Sequence, residues 1–342
     1  MGLLSGTVSI TRFNAVVPPE GPDFERTQFW AIEPGSEVRE RMGFVPFEID
    51  APYEVAQGRY VFRMRIDKIR PDATAVKERL KELVKAEMES TGKPFVGSKT
   101  RKKLKELAEA ELCMNQQPRT RIVECCLDGN LLYVASTAKT YLGTILALLR
   151  QAGVEADFKA PWIDEAPEID EFSDVVMPKE PGQSVLGCRF VRALLGESDV
   201  MVEPETGSVR LATREAKVSL TGAVLNELYR YLEDGAEILS AKLHVGSVMM
   251  RFDALSYRIN GLKLEPVKNE HWTMDLDQRL EQIAAVFETL DGKYVALKDK
   301  MAEEAKAVRA ARPGEAVPFA TSDEEAEAGD AGEAGDTEAA VA

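Results

Sequence analysis

At 342 residues, 44% of them hydrophobic, the chain is long enough for one large or two modest domains and apolar enough to bury a core. No apolar run approaches the roughly 18 residues that would cross a bilayer, and the opening MGLLSGTVSITRF lacks a basic region ahead of a long apolar stretch, so a soluble protein with no secretion signal and no membrane partner is expected. Its 43 Lys+Arg against 58 Asp+Glu give a formal net charge of −15, which as a whole-chain figure argues against a polyanion partner.

Residues 59–67, RYVFRMRID, alternate: Tyr60, Phe62, Met64 and Ile66 fall on one face, Arg59, Arg63 and Arg65 on the other. This predicts a half-buried strand with a basic outer face, extended by Lys68 and Arg70. From Asp72 a helical period takes over, with Val76, Leu80, Leu83, Val84 and Met88 as an apolar stripe, Asp72 or Thr74 as N-cap, and Thr91, Gly92 and Pro94 as the stop. A second helix from near Ser98 through Leu104, Leu107, Ala108 and Leu112 completes a helical hairpin over residues 72–112. Its turn and second-helix start, KPFVGSKTRKKLK over residues 93–105, carry Lys93, Lys99, Arg101, Lys102, Lys103 and Lys105 and no acid. RIVECCL and LLYVAS read as strands joined by a tight turn at Asp128-Gly129. Ser136 or Thr137 then caps a helix with Leu142, Ile145, Leu146 and Leu149 inward, ended by Gly153.

Pro161, Pro167, Pro178 and Pro181 in an acidic stretch mark a join, dividing the body into regions 1–155 and 156–312. The second region predicts strands CRFVRALL, DVMVE and SVRLAT, a helix at 222–232, strands near 238–245, 248–252 and 257–264, and a long helix over 275–308 broken or kinked at Asp291-Gly292. Residues 313–342 hold nine acids and no Lys or Arg, which predicts a disordered acidic tail. Without those nine charges the body carries only −6. Antiparallel hairpins without sustained βαβ alternation give an α+β fold with mixed antiparallel sheets.

The chemistry-bearing patterns are sparse. Gly92 to Thr100 nearly matches a phosphate-binding loop, but Ser98 separates the second glycine from Lys99 and a helix, not a strand, leads into it. Asp72, Glu78, Lys81 and Glu82 could be read as the carboxylate cluster of a metal-dependent exonuclease, yet they fall along one ordinary exposed helix. His244 and His271 are too few for a histidine-based site. Cys113, Cys125, Cys126 and Cys188 lack C-x-x-C spacing, suiting neither a disulfide framework nor a tetrahedral metal site and pointing to a reducing cytoplasm. Cys125 and Cys126 read as small core residues, and Trp30, Trp162 and Trp272 as packing anchors. What remains is basic: the strand face and the 93–105 cluster. By composition alone a Lys-rich helical turn is ordinarily a solubilising face; alternatively it neutralises phosphates, or docks an acidic partner or the chain's own tail.

Met42-Gly43-Phe44-Val45-Pro46, the strand RYVFRMRIDKIRP, the charged helical hairpin, the DGNLLYVAS hairpin and the helix ending TILALLRQAG occur in an order that resembles the recombination-associated protein RdgC family. The similarity runs on through GSVRLATREAKVSL and the closing helix, covering about residues 1–310. The resemblance implies an RdgC-like ring-forming architecture: a cytoplasmic, nucleoid-associated homodimer that encircles double-stranded DNA without sequence preference, uses no cofactor and limits access of RecA. It also implies DNA contacts from a basic residue in the helical hairpin, an aromatic before the central hairpin and a Lys-Gln pair in the second half. Arg101, beside Lys99, Lys102 and Lys103, matches the first. Arg214-Glu215 stands opposite the Lys-Gln pair, keeping the charge and losing the amide, and MNQQPRT at 114–120 has no aromatic. The expected DNA-binding residues are Arg63, Arg65, Lys68, Lys93, Lys99, Arg101, Lys102, Lys103 and Arg214, with no catalytic or metal-binding residue. A ring reconciles them with a net acidic chain, since outward charges are screened beyond about 8 Å at physiological salt.

Overall fold

The computed structural model describes residues 2–33, 35–114, 116–164, 173 and 175–310. The expected acidic tail, and Pro167 of the expected join, lie outside the described residues. In chain order come β1 (Val8–Val16), β2 (Glu40–Pro46), β3 (Glu54–Ala56), β4 (Arg59–Lys68), α1 (Ala73–Thr91), α2 (Ser98–Met114), β5 (Arg119–Asp128), β6 (Leu131–Val134), α3 (Lys139–Gln151), β7 (Glu155–Phe158) and α4 (Pro161–Asp164). The second half follows with α5 (Leu186–Leu194), β8 (Val200–Val202), β9 (Ser208–Ala212), β10 (Lys217–Thr221), α6 (Leu228–Glu233), β11 (Glu237–Val245), β12 (Val248–Asp253), β13 (Arg258–Leu262) and α7 (Trp272–Ala310). The fold is α+β. Its strands form one large antiparallel sheet in the order β10-β9-β11-β12-β13-β1-β6-β5-β4-β2, with β3 on β4, β7 on β1 and β8 on β11. No described helix is long and apolar enough to cross a membrane.

β1 joins the halves. Val8 and Ile10 pair with Leu262 and Ile259 of β13, then residues 11–14 pair with β6 and residues 13–16 with β7. The expected division at 155/156 falls inside β7, so the two regions share a sheet where the sequence suggests a join. Both faces of the central strands are covered. Phe62, Met64 and Ile66 of β4, Cys125 and Leu127 of β5, and Phe13 of β1 pack under Leu142, Ile145 and Leu149 of α3. The intervening Val61, Cys126 and Tyr133 face the other way and join Leu276, Leu280, Ile283 and Phe287 of α7 in a larger core that continues to Phe190 and Phe252. Adjacent Cys125 and Cys126 therefore serve opposite cores, as the two-residue period of a strand requires.

Several expectations are corrected. CRFVRALL is not a strand but the helix α5: Leu186, Phe190, Val191 and Leu194 are buried at helical spacing while Arg192 points outward. Gly187 lets this helix approach closely, since a Cβ there would lie 1.8 Å from the Ala254 carbonyl oxygen. Residues 222–227 form a 3₁₀ turn ahead of the shorter α6. Ala138, not Ser136 or Thr137, is the N-cap of α3, although the Ser136 hydroxyl accepts from its N–H, and Leu148 is more buried than Leu146. Trp30 is two-thirds exposed, unlike buried Trp162 and half-buried Trp272, which stacks on Phe47.

The helix α7 runs unbroken through Asp291-Gly292. Leu276, Leu280, Ile283, Phe287, Leu290, Tyr294, Leu297 and Met301 are all buried, in an uninterrupted 4-3-4-3 spacing, so packing along the whole stripe overrides a local turn signal. Asp291 is also held: Arg12 of β1 donates to its Oδ1 and Oδ2 at 3.0 and 2.8 Å, and the Tyr257 hydroxyl donates to Oδ1 at 2.6 Å. Asp291→Ala leaves Arg12 buried without its partner and is expected to cost about 3 kcal/mol, whereas Gly292→Ala, with open space around its Cβ, is expected to stabilise by about 0.5–1 kcal/mol. Urea denaturation of both variants checks this.

Candidate nucleic-acid interface

The helical hairpin is an excursion from the end of the sheet. β4 and β5 pair along their whole length, finishing with Lys68 opposite Arg119, and the chain between them leaves to make α1 and α2. Asp72 starts α1: its Oδ1 accepts from Thr74 N at 2.9 Å and Ala75 N at 3.0 Å, and these backbone bonds hold its carboxyl below the usual range. Gly92, at φ +66°, ends the helix in the left-handed conformation that a side chain resists. Residues 93–97 turn the chain, and Arg101 N donates to Gly97 O at 2.9 Å as α2 begins. The two helices bury little: Val76, Ala108 and Cys113 are inside, while Leu80, Leu83, Val84, Met88, Leu104 and Leu112 of the expected stripe are half-buried.

Charge is graded along this hairpin. Near its root, Arg79 bridges Glu111 at 2.7 Å and Glu82 at 2.8 Å, and Glu109 meets Lys105 at 3.5 Å and Arg39 at 3.8 Å. At the tip, Lys93, Lys99, Arg101, Lys102 and Lys103 are all exposed, and among the described residues no carboxylate lies within 4.0 Å of them. Nineteen residues of α1 at about 1.5 Å each set that tip roughly 28 Å out from the helix start. Lys99, Lys102 and Lys103 fall at i, i+3 and i+4, one face of α2, beside the positive end of its backbone dipoles. Phe95 stands 71% exposed among them.

The strand arginines are different. Arg59, Arg63 and Arg65 share the face of β4 that carries Val61, and that face is covered by the start of α7 and by the segments around Phe29 and Phe47. Arg63 lies 3.3 Å from Glu124, its partner across the strand pair, and over the Phe47 ring. Arg65 makes two hydrogen bonds to Asp67 at 2.9 and 2.7 Å and lies over Phe29. Asp67 is itself buried; desolvation would raise its carboxyl, but the bonds from Arg65 and Thr120 outweigh this and hold it low. Lys68 pairs with Glu40 across β2. The expected basic outer face is thus a set of half-covered ion pairs, because an alternating pattern cannot reveal that both faces of a strand are occupied.

Arg214 is exposed in the turn between β9 and β10, at the far end of the strand order from β4, so one chain does not bring it beside the hairpin. Sequence reading passed over Arg119 and Arg121, exposed at the hairpin root because β5 starts two residues before RIVECCL.

Gly92 is a helix cap and Ser98 begins the next helix, so no strand feeds the loop that resembled a phosphate site. Among the described residues no group of three or more His, Cys, Asp or Glu is placed to hold a metal. All four cysteines are buried; burial, with the charge of Asp128, pushes the Cys126 thiol up to about 12. Comparison with protein-family models and with curated proteins returns no match for this chain. The thiols are expected to react with a disulfide reagent at pH 8 only after unfolding; appreciable labelling of the native protein would contradict their burial.

Proposed function

We propose that the chain binds double-stranded DNA without sequence preference through the tip of its helical hairpin, with Lys93, Lys99, Arg101, Lys102 and Lys103 meeting phosphates. The observation that carries this reading is the contrast between a charge-balanced root and five exposed tip cations that have no carboxylate partner among the described residues. Exposed cations on a projecting arm can approach a polyanion without first breaking internal pairs, and their binding energy comes from counterion release, which is blind to base sequence. Arg63, Arg65 and Lys68, already paired, hold the sheet together in this reading. Arg214 adds a second basic point on the far half of the chain.

The finer parts of the proposal follow the RdgC-like resemblance: a cytoplasmic homodimer closing into a ring around DNA, associated with the nucleoid and restraining RecA. A ring gives retention that depends on DNA topology, and that is measurable. Protein bound to a closed circle is expected to survive a salt challenge that strips it from the same DNA once linearised; equal loss from both would remove the ring from the proposal.

Affinity for unrelated duplexes is expected to be similar and to fall steeply with salt. Replacing Arg101, Lys102 and Lys103 together by Ala should lower the slope of log affinity against log salt by about 2–3 without changing the unfolding midpoint. Arg63→Gln should lower stability and leave affinity within about twofold. A strong sequence preference, or a triple variant that binds as well as the parent, would sink the reading. End-labelled DNA with Mg²⁺ or Mn²⁺ is expected to remain intact.

A further inference from the structure

The tip cations have a second polyanion within reach. Residues 313–342 carry nine acids and no cation, so their charges cannot be neutralised locally, and residues 93–105 carry six cations and no acid. Elsewhere the folded body has already matched much of its charge: Arg59, Arg63, Arg65, Lys68, Arg79, Lys242 and Lys293 each hold a carboxylate. The hairpin tip is the densest cationic run in the chain and is left unmatched among the described residues.

We propose that the chain's own acidic segment, residues 313–342, docks on the hairpin tip and occupies the surface formed by Lys93, Lys99, Arg101, Lys102 and Lys103. Length permits it. Glu338 lies 28 residues beyond Ala310, the end of α7. An extended chain spans about 3.3–3.6 Å per residue, giving a reach of roughly 90–100 Å. A folded body of this size has a radius of gyration near 20 Å, so that reach covers the body diameter and the roughly 28 Å of hairpin beyond it. Each exposed charge pair is individually weak, but a tether holds the acids at an effective concentration on the order of millimolar, which lets several weak pairs act together. Docking of this kind sets a threshold: only a polyanion of higher charge density than the tail, such as duplex DNA, displaces it, and stray acidic surfaces do not.

The effect on DNA rests on the function proposed above; the docking does not. The test compares the full-length protein with a full-length variant in which the nine tail acids are changed to Asn or Gln. Lysine acetylation, read residue by residue by mass spectrometry at low salt, is expected to be about threefold slower at Lys93, Lys99, Lys102 and Lys103 in the parent. The protection should disappear at high salt, and Lys217 and Lys263, exposed on the far half, should react alike in both proteins. Equal rates at the tip, or uniform slowing at every lysine, would overturn the proposal. In parallel, duplex affinity at low salt is expected to rise severalfold in the variant. If neither protein binds DNA, the functional reading fails while the acetylation pattern still decides the docking.

Discussion

The structure hangs on the contact between Arg12 and Asp291. Arg12 lies on the one strand that belongs to both halves of the sheet, is 5% exposed, and reaches across to the middle of the longest helix. A guanidinium so buried would be very costly alone. Two bonds to one carboxylate, a third bond from Tyr257 to the same carboxylate, and the Phe287 ring 4.4 Å away make it tolerable. Because α7 crosses from Arg59 on β4 to Asp199 beside β8, the pair at its centre fixes how the first-half strands sit against the second-half core. What would otherwise be two small cores leaning on a flexible join becomes a single layer with a brace behind it.

From that brace outward, the same residue types take different roles according to their neighbours. Arg59 and Arg63 face carboxylates across the strand pair, Arg65 holds Asp67 of its own strand, and Arg63 and Arg65 lie over phenylalanines; their charge is consumed in holding the sheet. Lysines and an arginine at the hairpin tip have no such company among the described residues. The distinction is one of placement: a cation beside a carboxylate contributes to folding, and the same cation carried some 28 Å away on helices remains available to an external anion.

The sequence made the hairpin legible almost to the residue, because its ends are marked by chemistry that acts locally: an aspartate that accepts from the first free amides and a glycine that adopts a positive φ. The β5–β6 turn was legible for the same reason, shifted by one residue to Gly129-Asn130. The errors arose where distant packing decides. The Asp291-Gly292 pair looks like a turn until Arg12 and the stripe from Leu276 to Met301 are placed around it. CRFVRALL is apolar enough for either a strand or a helix, and its burial against α7 and β11 is a tertiary fact. The paired state of Arg63 was hidden too, since Glu124 is some sixty positions away.

Lys68 and Arg119 are cross-strand neighbours, so the fifty residues between them begin and end at adjacent points of the sheet. The excursion has its own caps and its own seam, and packs chiefly on itself. Such an insert is a detachable module: its length, charge and tip can drift, or be exchanged for a two-residue turn, while every strand keeps its register. The scaffold and the reaching arm are therefore free to evolve under separate pressures.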